Sequence, residues 1–307
     1  MRLVFAGTPA PAVPSLRRLA ASDHEIAAVI TRPDAPLGRK RVLTPSPVAA
    51  AAEELGIPVI RAARLDEDAT GKVAALAPDL GVIVAYGGIV RAPLLSTPRH
   101  GWINLHFSLL PAWRGAAPVQ HALIAGDRVT GASVFQLVPA LDAGDLYGEL
   151  RYEVPAVATA ADVLTTLAES GAGLLTDVVD DIANGTATAR PQTGEPTFAP
   201  KLTIADGALD WTQPAGRVLD RCRGVTPEPG AHTTVGGLPV KVLAAEPAPG
   251  DVPPLPAGRI AATRGGILIG TATTPVLVTR VQPSGKAAMA AADWWRGLRI
   301  DDPVAGA

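Results

Sequence analysis

The sequence of 307 residues has one cysteine, no long hydrophobic run and almost no net charge. The lone Cys222 cannot form an internal disulfide, which is typical of proteins in reducing compartments, and we interpret it as a small buried side chain. No stretch reaches the roughly 18 apolar residues that a membrane span needs, and residues 1–16 lack the apolar core of a secretory signal. We therefore expect a cytoplasmic protein with no membrane partner. The net charge of −2 excludes a general attraction for nucleic acid, so a polyanionic partner must be met by local basic clusters.

Three common kinds of catalytic site also lack their motifs. Residues 7–12, GTPAPA, lack the second and third glycines of G-x-G-x-x-G, which disfavours a nicotinamide-dependent dehydrogenase. A serine hydrolase built on Ser108, His106 and Asp142 is disfavoured because no G-x-S-x-G elbow surrounds the serine, and because residues two apart on a strand point in parallel. No group of His, Cys and Asp has metal-ligand spacing, so we expect no metal.

The residues that are present favour a large core, since 48% are apolar and 18% are charged. The length favours two domains. Near-continuous apolar runs alternate with segments of helical periodicity, and this alternation predicts an α/β fold with a doubly wound, mostly parallel sheet, whose ligands bind beyond the carboxyl ends of the strands. The predicted strands cover residues 2–7, 25–32, 57–62, 79–86, 101–108 and 131–138. The predicted helices cover residues 11–22, 47–56, 68–78, 116–126 and 159–185.

The pattern changes after the last of these helices. Residues 187–207 are rich in proline, threonine and glycine and have no sustained periodicity. Beyond them come short β-rich runs separated by glycine and proline. We predict a domain over residues 1–188, a linker over residues 189–206, and a smaller β-barrel domain, OB-like, over residues 207–307.

One predicted strand carries polar residues at alternate positions. Asn104, His106 and Ser108 are predicted to share one face of it, since alternate side chains of a strand point the same way. A lone histidine in such a place is most often satisfied by neighbouring backbone groups. Three aligned polar groups just before a proline instead favour the lining of a cleft at the strand end.

Asp142 follows the next predicted strand. Alone it is interpreted as a turn-forming residue. Together, a carboxylate, an imidazole and a carboxamide can perform acyl transfer to an amine, because the first two move a proton and the amide N–H stabilises an oxyanion. A non-enzymatic RNA-binding protein would not explain these aligned polar residues.

Eight segments resemble, in order, the motifs of the methionyl-tRNA formyltransferase family: FAGTP, TRPDAPLGR, TPSPV, VAYG, INLHFSLLPAWRGAAPVQHALIAGD, GASVFQLVPALDAGD, FAPKL and DWWRGLR. The resemblance implies a Rossmann-like formyltransferase domain that uses 10-formyltetrahydrofolate to formylate initiator methionyl-tRNA, with Asn104, His106 and Asp142 as catalytic residues. It also implies a folate site formed by Tyr86, Gly87, Val90, Ser108, Leu109, Leu110 and Pro111. The Asn-His-Asp core is shared by other users of this folate, so a formyltransferase acting on a sugar-nucleotide amine, or a hydrolase acting on water, stays open.

Residues 31–48 form a predicted loop that is rich in basic side chains. A solvated basic loop is its simplest interpretation. Phosphate contacts from Arg and Lys are also what gripping an RNA end requires. The resemblance implies that this loop contacts the tRNA acceptor stem through Arg39, Lys40 and Arg41, with Arg39 matching the key arginine of the family.

The second predicted domain is nearly balanced in charge. Residues 207–307 hold 10 Lys or Arg and 8 Asp or Glu, so a basic face there needs clustering, for example of Arg217, Arg221 and Arg223. We expect a monomer.

The chain departs from the family at four positions. Ala10 and Pro11 replace Asp-Phe, Gly88 replaces glutamine and Ala143 replaces threonine. Gly88 is expected to add backbone freedom where a side chain normally packs.

Overall fold

The computed structural model describes residues 1–38, 41–250, 252–300 and 303–306. The chain divides into two compact units. The first comprises Met1–Pro118, Val129–Tyr152 and Leu164–Pro200, and the second comprises Val119–Arg128, Glu153–Val163 and Lys201–Ala307.

The first unit is built on a seven-stranded sheet in the order β5-β2-β1-β6-β7-β8-β9. The strands up to residue 153 are β1 (Arg2–Gly7), β2 (Glu25–Thr31), β3 (Ala35–Leu37), β4 (Val42–Thr44), β5 (Val59–Arg61), β6 (Leu80–Val84), β7 (Trp102–His106), β8 (Val129–Gln136) and β9 (Leu146–Glu153). The first five strands of the sheet order pair in parallel, whereas β7 and β8 pair antiparallel. The predicted doubly wound, mostly parallel sheet is confirmed.

Five α-helices lie in the described residues between 13 and 184, at the places where the sequence predicts them. They are α1 (Val13–Ala20), α2 (Pro47–Glu54), α3 (Glu67–Ala75), α4 (Pro118–Ala125) and α5 (Ala160–Asn184). Local chemistry sets two of their starts. The Ser46 side chain accepts a hydrogen bond from the Ala49 N–H at the start of α2, and the Asp66 side chain accepts one from the Ala69 N–H at the start of α3.

The neighbouring strands β6 and β7 are fixed by close packing. Every residue of β6 is buried, as expected for a strand covered on both faces. Gly81 of β6 pairs with Trp102 of β7, and a Cβ on Gly81 would lie 2.2 Å from the indole ring. Glycine is therefore required there, and the fully buried Trp102 fixes β7 beside β6.

Two elements of the first unit were not predicted. The basic loop contains a β3–β4 hairpin, paired from Ala35↔Thr44 to Leu37↔Val42, whose apolar side chains are exposed and so lack the buried pattern of a strand. The edge strand β9 has alternating charged residues and no apolar run. Part of the predicted linker is bonded into this unit, since Arg190 exchanges backbone hydrogen bonds with Leu146.

The second unit contains a six-stranded antiparallel sheet. Its strands are β10 (His232–Val235), β11 (Leu238–Pro247), β12 (Ile260–Ala262), β13 (Ile267–Ile269), β14 (Val276–Pro283) and β15 (Met289–Ala290). The helices α6 (Ala215–Gly224) and α7 (Ala291–Gly297) pack Val218 and Trp294 into its core. In the described residues no ladder joins the end strands β10 and β12, so the predicted small barrel is a curled half-barrel.

Candidate active site

The two central polar residues lie on β7, at the edge of the sheet where β6 and β7 both end. Asn104 pairs with Ile83 of β6 and Phe135 of β8, and His106 pairs with Ser133. Because β6 and β7 are parallel, the chain leaves both strands at the same edge. The segments after these strands, residues 85–90 and 107–111, are therefore brought to one side of the sheet.

The His106 ring is buried, with 6% of the residue exposed, and it stands edge-on to Phe135 with ring centroids 6.4 Å apart. Its Nε2 atom lies 2.9 Å from the carbonyl oxygen of Trp113. A carbonyl only accepts hydrogen bonds, so Nε2 carries the hydrogen and Nδ1 of the neutral ring carries a lone pair.

Burial sets the protonation state of this imidazole. Loss of solvation lowers the pKa of His106, against smaller opposing effects of the Asp142 charge and the Trp113 carbonyl. His106 is therefore neutral at pH 7, and its Nδ1 atom is available as a proton acceptor.

Asp142 lies beside that acceptor. Its Oδ2 atom is 3.8 Å from His106 Nδ1 and accepts a 2.8 Å hydrogen bond from the Gly115 N–H. Asp142 has a φ of 45°, in the left-handed region that few non-glycine residues adopt. Gly115 is itself required, since its φ is 128° and a Cβ there would lie 2.6 Å from the Ala199 carbonyl oxygen.

The distance of 3.8 Å between Nδ1 and Oδ2 is too long for a direct hydrogen bond. Both atoms are acceptors when His106 is neutral and Asp142 is ionised. The pair can therefore accept an N–H group of a ligand, and either atom can take up its proton.

Asn104 completes the arrangement of predicted catalytic residues on this strand. It is half-buried, and its carboxamide makes no hydrogen bond to any other described residue. Its N–H₂ group is thus available to a ligand as a donor.

The prediction that Ser108 continues the strand of Asn104 and His106 is wrong. The strand ends at His106, so the alternation stops there. Ser108 is fully buried, and its hydroxyl donates to the Ala112 carbonyl at 2.6 Å. It stabilises the turn that carries the half-buried Leu109 and Pro111 and the buried Leu110.

The predicted folate segment after β6 is divided between core and surface. Tyr86 and Val90 are buried in the core cluster, and burial raises the pKa of the Tyr86 hydroxyl, which lies 3.4 Å from the Ala62 carbonyl. Gly87 is exposed with a φ of 74°. A Cβ at Gly88 would lie 2.5 Å from the Tyr86 ring, so glycine at this position leaves space for the ring.

Of the three basic residues predicted to contact tRNA, the structure describes one. Arg39 and Lys40 lie outside the described residues. Arg41 is exposed at the end of the β3–β4 turn.

The three arginines suggested as a basic cluster of the second unit make hydrogen bonds within that unit. Arg217, Arg221 and Arg223 donate to the carbonyls of Ala125, Asp206 and Ala158, respectively. These hydrogen bonds tie each arginine to the backbone of its own unit.

Sequence reasoning missed Trp113, Gly115 and Gln192. The first two lie within the matched run that contains His106, but only the structure reveals that their backbone groups bind the imidazole and the carboxylate. Gln192 lies 50 residues after Asp142 and donates to the Asp142 carbonyl oxygen at 2.8 Å. No helix of the described chain combines the length and apolar character needed to cross a bilayer. Within the described ranges no three His, Cys, Asp or Glu residues are grouped as metal ligands.

The sequence is similar to known proteins over nearly its whole length. The family described as "Formyl transferase" matches residues 1–179, and "Formyl transferase, C-terminal domain" matches residues 201–299. The methionyl-tRNA formyltransferase of Clavibacter sepedonicus is 62% identical over 305 residues, which cover 99% of this chain and 100% of that protein. That of Leifsonia xyli subsp. xyli is 64% identical over 297 residues, 97% of each chain.

Two solved structures share the fold at low sequence identity. The N-formyltransferase from Helicobacter canadensis, in complex with folinic acid and dTDP-3-aminofucose, matches with a TM-score of 0.70 at 14% identity, over 92% of this chain and 98% of that one. HypX from Aquifex aeolicus, in complex with tetrahydrofolic acid, matches with a TM-score of 0.64 at 18% identity, over 96% of this chain and 46% of that one.

Proposed function

The chain belongs to the methionyl-tRNA formyltransferase family, and on this premise we propose that it transfers the formyl group of 10-formyltetrahydrofolate to the α-amino group of initiator methionyl-tRNA. One observation carries the assignment of the chemistry. The unprotonated Nδ1 atom of neutral His106 lies 3.8 Å from Asp142 Oδ2. His106 shares strand β7 with Asn104, whose carboxamide is available to a ligand.

The reaction requires a carbonyl donor and a proton acceptor. When bound, the folate supplies the formyl carbon. The methionyl nitrogen forms a new bond to that carbon, the bond from the carbon to the folate nitrogen breaks, and one proton moves from the amine to the leaving nitrogen. The chain supplies the groups that stabilise charge and carry this proton.

Asn104 is the proposed oxyanion donor. Its unpartnered N–H₂ group fits the oxygen of a formamide, on which negative charge grows as the amine attacks. A donor of this kind contributes about 3 to 4 kcal/mol to the transition state.

His106 and Asp142 are the proposed proton-handling pair. The Trp113 carbonyl holds the ring with Nδ1 unprotonated, and this atom accepts the amine proton. The Asp142 carboxylate then favours the imidazolium until the proton reaches the leaving nitrogen.

The proposed folate site lies on the segments that follow β6 and β7. Exposed Gly87 and half-buried Leu109 and Pro111 offer backbone and apolar contacts to the ligand, while Ser108 and Leu110 hold the turn. Tyr86 and Val90 belong to the buried core and support this segment by packing.

The proposed tRNA contacts are Arg39, Lys40 and Arg41, together with the carboxyl-terminal domain over residues 207–307. The exposure of Arg41 at the hairpin turn supports this assignment. The proposal retains a folate-binding catalytic domain over residues 1–188 and a linker over residues 189–206. It also includes a cytoplasmic location and a monomeric state. Gel filtration with light scattering tests the monomeric state.

The test is a substrate comparison with the purified full chain. We expect formylation of charged initiator tRNA by 10-formyltetrahydrofolate, detected by the mass of the released formylmethionine. A sugar-nucleotide amine, glycinamide ribonucleotide and water are offered in parallel. Formyl transfer to one of these, with none to the charged tRNA, would overturn the proposed function.

A further inference from the structure

The side chain of Gln192 joins two segments of the active site. Its Nε2 group donates to the carbonyl oxygens of Asp142 at 2.8 Å and Gly144 at 2.9 Å. Its Oε1 atom accepts from Arg114, at 2.6 Å from Nη2 and 3.2 Å from Nε. Both donors and both lone pairs of the carboxamide are therefore used, which fixes its orientation.

Arg114, which is bound by Gln192, lies in sequence between two residues that contact His106 and Asp142. Trp113, one residue before it, accepts the hydrogen bond from His106 through its carbonyl. Gly115, one residue after it, donates its N–H to the Asp142 carboxylate. Residues 113–115 thus touch both partners of the proton-handling pair.

The segment that carries Gln192 is itself anchored. Arg190 exchanges two backbone hydrogen bonds with Leu146, at 2.8 and 2.9 Å. Ala199 and Arg114 are joined by a backbone hydrogen bond of 2.8 Å. Gln192 therefore extends from a chain segment held on both sides, and this limits its movement.

Asp142 needs such support because its backbone is in the left-handed region, at φ 45°. A non-glycine residue keeps this conformation only where its surroundings hold it there. The bond from Gln192 acts on the carbonyl of Asp142 itself, while Gly115 acts on its carboxylate. Together they hold the residue at both ends.

We propose that Gln192 is a positioning residue, which keeps the Asp142 carboxylate at its working distance from His106 by tying residues 142–144 to Arg114. This inference rests on the proposed function. Gln192 acts through Asp142 and contacts no reacting atom.

The test compares three variants in the full chain. Gln192→Glu keeps the size and the acceptors for Arg114 but removes both donors, and Gln192→Ala removes the bridge. Asn184→Asp is the control for exchanging an amide for a carboxylate, because Asn184 is exposed at the end of α5 and lies outside the proposed sites. Steady-state formylation is measured for each, with thermal unfolding as the check of folding.

We expect kcat to fall about 10- to 100-fold in both Gln192 variants, because small misplacements of catalytic groups have effects of this size. The KM values for folate and tRNA should stay within about twofold, and Asn184→Asp should behave as wild type. In Gln192→Ala the acidic limb of the kcat–pH profile should move to lower pH. The reason is that a displaced Asp142 no longer raises the pKa of His106 against the effect of burial.

The outcomes separate the two proposals. A wild-type chain that does not formylate the charged tRNA contradicts the proposed function. A wild-type chain that does so, beside folded Gln192 variants with unchanged kcat and an unchanged acidic limb, overturns the role of Gln192. If the Gln192 variants do not fold, Arg114→Met replaces them, since it removes both donors to Oε1. A normal kcat and pH profile in that variant then overturns the inference.

Discussion

The carbonyl oxygen of Trp113 fixes the tautomer of His106, because it lies 2.9 Å from Nε2 and accepts the ring hydrogen there. The basic atom of the neutral ring, Nδ1, is thereby directed to the side of Asp142. A backbone group makes this choice, so no single side-chain substitution at Trp113 removes it.

Asn104→Ala should lower kcat by about 10²–10³-fold, since it removes the only proposed side-chain donor to the formyl oxygen. Single-turnover formylation with saturating folate measures the effect. Asn184→Ala is the matched control, because Asn184 is exposed at the end of α5. An Asn104→Ala enzyme that turns over near the wild-type rate would exclude this amide from catalysis.

Asp142→Asn should lower kcat by at least about 10²-fold and move its acidic limb to lower pH. The carboxylate raises the pKa of His106, so its neutralisation leaves burial to lower that pKa further. The asparagine still accepts from the Gly115 N–H. Exposed Asp145 provides the control variant, Asp145→Asn, whose profile should overlay that of wild type. An acidic limb that moves to higher pH in Asp142→Asn contradicts the pairing.

The free energy of unfolding should fall as the pH drops below about 6.5, the ordinary pKa of histidine. His106 has a lowered pKa in the folded state, so between that pKa and 6.5 the unfolded chain binds the extra proton and acidification favours unfolding. The slope from this group reaches about 1.4 kcal/mol per pH unit at most.

Urea denaturation between pH 5 and 8 measures this dependence. His106→Asn should flatten it, whereas His100→Asn should not, because His100 is exposed. An equal pH dependence in wild type and His106→Asn would mean that His106 has no lowered pKa.

Gly88→Ala should destabilise the first unit by about 1–3 kcal/mol, because the new Cβ would lie 2.5 Å from the Tyr86 ring. Gly71→Ala is the contrasting control, since it lies in α3 with open space around it and should be neutral or stabilising. In a Tyr86→Ala background the penalty at Gly88 should disappear, as a double-mutant cycle in urea would measure. A penalty of equal size in both backgrounds rules out the ring as its cause.

Neutralising Arg39, Lys40 and Arg41 together should lower kcat/KM for the charged tRNA while the KM for folate is retained. Each lost phosphate contact should also reduce the slope of log(kcat/KM) against log[salt] by about 0.7–0.9. Exposed Arg99 of the first unit, which lies outside the proposed sites, provides the control variant Arg99→Ala. Unchanged tRNA kinetics in the triple variant contradict the assignment of this turn.

Local pattern was enough to predict the elements that build the fold. The buried strands β1, β2, β5, β6, β7 and β8 and the helices α1 to α5 follow from the hydrophobic periodicity of their own segments. The polar residues Asn104 and His106 stood out because they interrupt such a strand. The β3–β4 hairpin and β9 escaped prediction because exposed strands have no buried face to mark them.

By itself, the sequence determined the doubly wound sheet, the family resemblance and the identity of the three polar residues proposed to act. Only the tertiary structure decided which side chains meet. It places the Ser108 hydroxyl on the Ala112 carbonyl, Asp142 at 3.8 Å from His106, and Gln192 between Arg114 and the carbonyl of Asp142. The physical reason is the range of the interactions. Hydrophobic periodicity is encoded over a few neighbouring residues, whereas these contacts use backbone carbonyls and amides, identical in every residue type, that meet only after distant segments have packed.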